Sequence, residues 1–307
     1  MLLSLEIGGT KLQLVLGDNS GNIVERRRLH VERNAKADAI RAQIEQSLPE
    51  LIGAHKISAV GVGFGGPVDW RSGKIARSHQ IEGWSGFALG DWLGDRVGAP
   101  VWVDNDANVG ALGEASSGAG RGFNPVFYVT LGSGVGGGLV VDGRIYHGAT
   151  PGESELGHVR LDRAGTILES RCSGWAVDAR IRELKTREPD CLLAKLSADS
   201  VGGEAKHLAA ALEQGDPHAT QILHELAAEL AFGLSHVGHL LHPAVIILGG
   251  GLSLLGEPLR AAVHGALAPL LMEVFQPGPA VLLAALGEDA VPVGALRLAA
   301  IVPAGSD

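Results

Sequence analysis

Cysteine is nearly missing from this 307-residue chain, with Cys172 and Cys191 the only two. Two thiols cannot build the framework of a disulfide-stapled secreted domain, so a reducing, cytoplasmic setting is expected. Blocks of positive charge are missing too. The longest is the short Arg26-Arg27-Arg28 run and the formal net charge is −9, whereas a nucleic-acid binder presents a basic face. No apolar stretch reaches membrane-spanning length; the segment 244–248 is far too short. The N-terminus lacks a basic n-region and its apolar opening is broken by Glu6, so no signal peptide is expected. No linker-like segment interrupts the chain either, which implies intimately joined parts.

Glycine, by contrast, is abundant: 45 residues, gathered in tight runs. Runs of that kind mark turns and backbone-lined pockets, because a residue without Cβ lets a ligand approach the main chain. The length exceeds what one hydrophobic core usually serves, so two lobes are expected. Residues 2–32 read as three strands, with turns at Gly8-Gly9 and Asp18-Asn19-Ser20-Gly21. A helix is expected over 35–51, with Ile40, Ile44, Leu48 and Leu51 on one face. A buried strand over 57–64 ends in Gly65-Gly66-Pro67, and a helix over 89–97 precedes a strand at 101–103.

The opening theme then returns. A strand over 126–131 runs into the glycines of 132–138, a second strand spans 139–141, and Asp142-Gly143 turns the chain into 144–147. Strand, glycine turn, strand, tight turn, strand therefore occurs twice, as a duplicated β-meander. Further on, an amphipathic helix is expected over 216–242, starting at Asp216-Pro217 and stopped by Pro243. A buried strand over 244–248 leads into Gly249-Gly250-Gly251, followed by a helix over 255–271. The expected division is a first lobe over 1–113 and a second over 114–307, with a last helix near 292–301 returning to the first.

Gly132-Ser133-Gly134-Val135-Gly136-Gly137 fits the loose GxGxxG pattern of dinucleotide-binding oxidoreductases. That fingerprint needs a helix after the loop, whose N-terminus meets the pyrophosphate. A β-hairpin is expected here instead, which disfavours an NAD-dependent enzyme. Hairpin turns lined by glycine amides suit another task, closing on the phosphates of a nucleotide. Gly8-Gly9-Thr10 and the 132–136 loop would do so, with Thr10 and Ser133 adding hydroxyls. Taken singly, each is equally well an ordinary hairpin turn.

Several motifs in order carry a resemblance. They are Glu6-Ile7-Gly8-Gly9-Thr10-Lys11, Gly65-Gly66-Pro67-Val68-Asp69, Asp104-Asn105-Asp106-Ala107-Asn108, the run 131–138, Glu155-Leu156-Gly157-His158, and Leu248-Gly249-Gly250-Gly251. Over nearly its full length the chain resembles the ROK family (repressor, open reading frame, kinase), sugar kinases of the two-lobed, actin-like α/β ATPase fold related to ribonuclease H. The resemblance implies ATP and Mg²⁺ as cofactors and a hexose as substrate. It makes Asp106 the base that takes the proton of the sugar hydroxyl as the P–O bond forms. It puts Gly66, Asn105, Glu155, His158 and Glu169 on the sugar, and Glu6, Gly8, Gly9, Thr10, Lys11, Gly132, Ser133, Gly134 and Gly136 on the phosphates. Gly249, Gly250 and Gly251 would line the adenosine side. On its own, Asn105-Asp106 also fits an Asx turn or helix cap.

The chain departs from the family in three places. The cysteine-rich stretch that holds a structural zinc is absent, and Cys172 alone cannot rebuild a four-ligand site, so no zinc is expected. The family's first-loop Asp is Glu6, which could still reach Mg²⁺ through water. The segment His79-Gln80-Ile81-Glu82-Gly83-Trp84 replaces a pattern with Asn before Gly-Trp, so glucose is not assured as the sugar. The chain starts at the first phosphate strand, without the helix-turn-helix of the family's repressors. The implied protein is a glucokinase-like enzyme, a homo-oligomer such as a dimer, with no membrane or nucleic-acid partner. A non-catalytic sugar or nucleotide binder of the same fold is the alternative.

Overall fold

The computed structural model of the protein describes residues 1–9, 11–32, 35–78, 81–150, 152 and 154–301. Strands β1 (Leu2–Ile7), β2 (Lys11–Gly17) and β3 (Ile23–His30) precede helix α1 (Ala37–Ile52) and strand β4 (Ala59–Phe64). Short strands β5 (Val68–Asp69) and β6 (Lys74–Ile75) lead to α2 (Leu89–Val97), β7 (Val101–Asn105) and α3 (Asp106–Ser117). Next come β8 (Val126–Leu131), β9 (Val135–Val141), β10 (Arg144–Ile145) and the helices α4 (Glu169–Cys172), α5 (Gly174–Arg187), α6 (Leu192–Leu196), α7 (Leu208–Glu213) and α8 (Pro217–Leu241). The chain finishes through β11 (Val245–Gly249), α9 (Glu257–Leu267), β12 (Ala280–Leu283) and α10 (Ala290–Ile301).

Two five-stranded sheets result, ordered β3-β2-β1-β4-β7 and β10-β9-β8-β11-β12. In the first, β1 pairs antiparallel with β2 and β2 with β3, while β1–β4 and β4–β7 are parallel. The second repeats the order position by position, again with two parallel pairings, β8–β11 and β11–β12. This duplicated α/β unit is that of the actin-like, ribonuclease H-like ATPase fold. Two compact units are formed: Met1–Phe123, Gly138–Ser154 and Ala285–Asp307 make the first, Asn124–Gly137 and Glu155–Ala284 the second. The continuous ranges 1–113 and 114–307 differ from this because the chain first changes unit after Phe123 and then again inside β9, after Ser154 and after Ala284.

In the first unit, the period-2 alternation of β1 sends Leu3, Leu5 and Ile7 to one face, where they pack with Ile40, Ile44 and Leu48 of α1 and with Trp84. The other face carries Leu2 and Ser4; Leu2 packs with Leu296 and Ala299 of α10, and the Ser4 hydroxyl donates to Pro292 O at 2.9 Å. Edge strand β3 is blunted by charge: Arg26 meets Asp289 at 2.6 Å and Arg28 meets Glu288 at 3.3 Å. The arginine run is therefore a charged sheet edge. Helix α10 also seats directly on main chain. A Cβ at Gly294 would lie 1.8 Å from Val109 O in α3, and one at Gly61 would lie 1.9 Å from Ala295 O.

In the second unit, β11 is buried along its whole length, as a strand covered on both faces must be. Helix α8 starts as its sequence dictates: Asp216 Oδ1 accepts from Ala219 N at 2.8 Å and Pro217 fills the first turn. The single helix expected over 255–271 is instead divided. Gly256, at φ +70°, ends a 3-10 turn over Gly251–Leu255 before α9 begins, and a further 3-10 turn over Ala268–Leu270 follows it. Among the described residues, no helix is long and apolar enough to cross a membrane.

The α3–α10 seat makes a direct test. Gly294→Ala should destabilise the protein by about 1–3 kcal/mol or more through overpacking against backbone. Gly265→Ala, in α9 with open space where its Cβ would go, should stabilise by roughly 0.5–1 kcal/mol. Urea unfolding of both variants checks the pair; equal effects would contradict the packing account.

Candidate active site

In the first unit the candidate residues converge at the ends of β1, β4 and β7. Gly8 N donates to Lys11 O at 2.8 Å, closing the first glycine turn, and Gly65 N donates to Ile7 O at 2.8 Å. Thr10 lies outside the described residues, as do His79 and Gln80. A Cβ on Gly65 would stand 3.4 Å from Asp106 Oδ2 and 3.5 Å from Gly8 Cα. The Asp106 carboxylate and the first glycine turn thus flank the same bare stretch of backbone.

The β7–α3 junction explains how Asp106 is presented. Asn105 is the N-cap of α3: its Oδ1 accepts from Ala107 N at 2.9 Å and Asn108 N at 3.4 Å. Its amide also donates to Gly66 O at 3.2 Å, so Asn105 ties the helix start to the Gly65-Gly66 turn. Asp106 is the first residue of the helix. Glu6 stands opposite Gln13 in the β1–β2 register and accepts from Gln13 Nε2 at 2.7 Å, with Lys11 Nζ 3.4 Å away. Burial raises its pKa above the ordinary value of 4.5 even though Lys11 and Gln13 pull the other way.

In the second unit the second glycine loop is short. Gly132 N donates to Gly134 O at 3.0 Å and Gly174 N, at the start of α5, donates to Gly132 O at 2.7 Å. Gly136 lies within β9, so the strand begins earlier than the run of glycines suggests. That strand, where a dinucleotide fold needs a helix, removes the Rossmann context from the GxGxxG match. Glu169 sits against the loop: its Oε2 accepts from Val135 N at 2.9 Å, and a Cβ on Gly134 would lie 2.4 Å from that oxygen. Ser133 is exposed at the tip.

Glu155 and His158 form an exposed pair, Oε2 to Nδ1 3.4 Å, across one 3-10 turn. Gly249 ends β11, and Gly250 adopts φ +79° where a Cβ would strike the Leu131 backbone at 2.6 Å. The 249–251 loop therefore lies against the residue that leads into the second glycine loop. No group of three or more His, Cys, Asp or Glu suited to hold a metal ion occurs among the described residues. Burial also pushes the Cys172 thiol up to about 12, leaving it a protonated core side chain rather than a thiolate ligand.

Sequence reasoning missed the pairing of Asp104 with His147, whose side chains meet at 2.6 Å beside the Asp106 turn. They are 43 positions apart, and no local pattern links them.

The chain as a whole is similar to known proteins. The model of the ROK family matches residues 2–301. The glucokinase of Thermotoga maritima is 33% identical over 230 residues, 72% of each chain. That of Streptomyces coelicolor is 32% identical over 239 residues, 74% of each. Among solved structures, a ROK family glucokinase from Streptomyces griseus in complex with glucose and AMPPNP superposes with a TM-score of 0.84 at 31% identity, covering 97% of this chain and 98% of the other. The chain belongs to the ROK family.

The raised pKa of Glu6 has a measurable consequence. Between the ordinary carboxyl value of 4.5 and its higher folded value, the folded state binds more protons than the unfolded one, so stability falls as pH rises through that window. Glu6→Gln should match the wild type in urea near pH 4 and exceed it at pH 8. An identical pH dependence of the two proteins would contradict this.

Proposed function

We propose that the protein is an ATP-dependent hexose kinase, glucokinase-like, that transfers the γ-phosphoryl group to a sugar hydroxyl. The observation that carries the reading is the Asp106 carboxylate standing beside Gly65 and the first glycine turn, in a ROK-family chain about one-third identical to glucokinases. Phosphoryl transfer asks a protein mainly for positioning and charge stabilisation, with a base beside the nucleophile. Asp106 is that base: it accepts the hydroxyl proton as the oxygen attacks phosphorus.

Gly66 and Asn105 contact the sugar, while Gly8, Gly9, Thr10 and Lys11 offer amides and an ammonium group to phosphate oxygens. Glu155 and His158 accept and donate to sugar hydroxyls, and Glu169 adds a carboxylate that also braces the second glycine loop. Gly132, Ser133, Gly134 and Gly136 line the phosphates and Gly249–Gly251 the adenosine. The fit is supported by bare glycine backbone at Gly134, where a Cβ would lie 2.4 Å from Glu169 Oε2, and at Gly132, where open space stands in place of a side chain. Glu6 would be the carboxylate nearest a nucleotide-borne Mg²⁺, reaching it through water, and the ion would supply neutralisation of phosphate charge. No zinc, membrane or nucleic acid enters this reading, which extends to a cytoplasmic homodimer.

ADP release measured over a panel of hexoses and amino sugars should depend on both sugar and Mg²⁺. Asp106→Asn should lower kcat by about 10²–10⁴-fold, the usual worth of a general base, while still binding the sugar in calorimetry. Absence of turnover with every sugar in the wild type would overturn the proposal.

A further inference from the structure

We propose that His147 is a positioning residue for phosphoryl transfer, holding the β7–α3 turn through Asp104 so that Asp106 keeps its reactive placement; the role of Asp106 rests on the kinase reading above. Asp104 is almost fully buried at the end of β7. Its Oδ2 pairs with His147 Nε2 at 2.6 Å. Its Oδ1 accepts from Asn105 N at 2.8 Å and from Asn108 Nδ2 at 3.0 Å. One carboxylate therefore grips the residues on both sides of Asp106, and His147 grips the carboxylate.

The imidazole is itself fixed. It stacks on Trp70 at 4.2 Å between centroids and 14° between planes. Asn108 Nδ2 also donates to Gly152 O at 3.2 Å, so the segment that carries His147 is bound to the turn at a second point. Starting the helix does not require any of this, since Asn105 already caps α3.

The arrangement is also expensive as a purely structural device. A carboxylate and an imidazole are taken out of water, and Asn108 Oδ1 and Trp70 Nε1 are buried with no hydrogen-bond partner among the described residues. Each such orphan costs stability, because its lost hydration is not replaced. Broken local rules of this kind concentrate where function needs them. Here they surround the turn bearing the proposed base, where a displacement of about 1 Å can cost 10²-fold in rate.

Two amide variants isolate the contact. Gln places its Nε2 near the histidine Nε2, whereas Asn reaches only to the Nδ1 position. His147→Gln should retain most of the wild-type kcat. His147→Asn should lose about 10–100-fold in kcat, with the KM of hexose and of ATP within about two-fold of wild type, the signature of a contact that matters in the transition state. Asp104→Asn should lose a similar amount, and the Asp104→Asn/His147→Asn double variant should be little worse than either single one. Equal kcat for Gln and Asn, a loss carried by KM, or multiplying losses would overturn the proposal. If the wild type phosphorylates no sugar, the kinase reading falls on its own. The positioning claim is then read from a crystal structure of His147→Asn, where an Asp106 carboxylate displaced from Gly65 supports it and an unmoved one overturns it.

Discussion

Main chain pressed on main chain is the constraint on which the first unit depends. Helix α10 touches α3 and β4 where Gly294 and Gly61 leave no room for even one carbon. At the far end of α3, the fully buried Glu114 accepts from Ala119 N at 2.8 Å, Ala285 N at 3.1 Å and Leu286 N at 2.8 Å. Backbone contacts of this kind have no rotamers with which to relax, so they fix the axis of α3. The turn at the N-terminal end of that axis carries Asn105 and Asp106. The placement of that turn is thus set by packing at the other end of the helix and along its length.

Buried carboxylates in the unit divide by how they are compensated. Glu114 receives three backbone N–H donors, which is a structural use: it joins α3 to the segment that begins the return of the chain. Glu6 receives one amide and one ammonium group, too little to offset its burial, and its pKa rises. An under-compensated carboxyl beside a glycine turn is a suitable place for additional positive charge to bind. Asp104 is held by an imidazole, an amide side chain and a backbone N–H, all converging on the turn of Asp106.

Much of the fold could be read from local sequence because its signals are local. The alternation of Leu3, Leu5 and Ile7, the glycine turns after β1 and β8, and the Asp216-Pro217 start of α8 each specify their element within a few residues. The duplication showed as a repeated order of strand and turn, and the two sheets share that order. Punctuation inside 255–271 was overlooked, although Gly256, Pro258 and Pro269 carry it. Gly136, Gly137 and Gly138 read as loop yet lie in β9, because Gly138 answers a packing demand: its Cβ would meet Ala107 O at 2.7 Å. Periodicity does not report such a demand. The Asp104–His147 pair was invisible for the same reason, since only tertiary folding brings residues so far apart in sequence together.

The account stands most directly on what touches the Asp106 carboxylate when substrates are bound. A crystal structure of the protein with a hexose and a non-hydrolysable ATP analogue should show one sugar hydroxyl within about 3 Å of that carboxylate, aligned with the terminal phosphate. A bound hexose with every hydroxyl remote from Asp106 would contradict it.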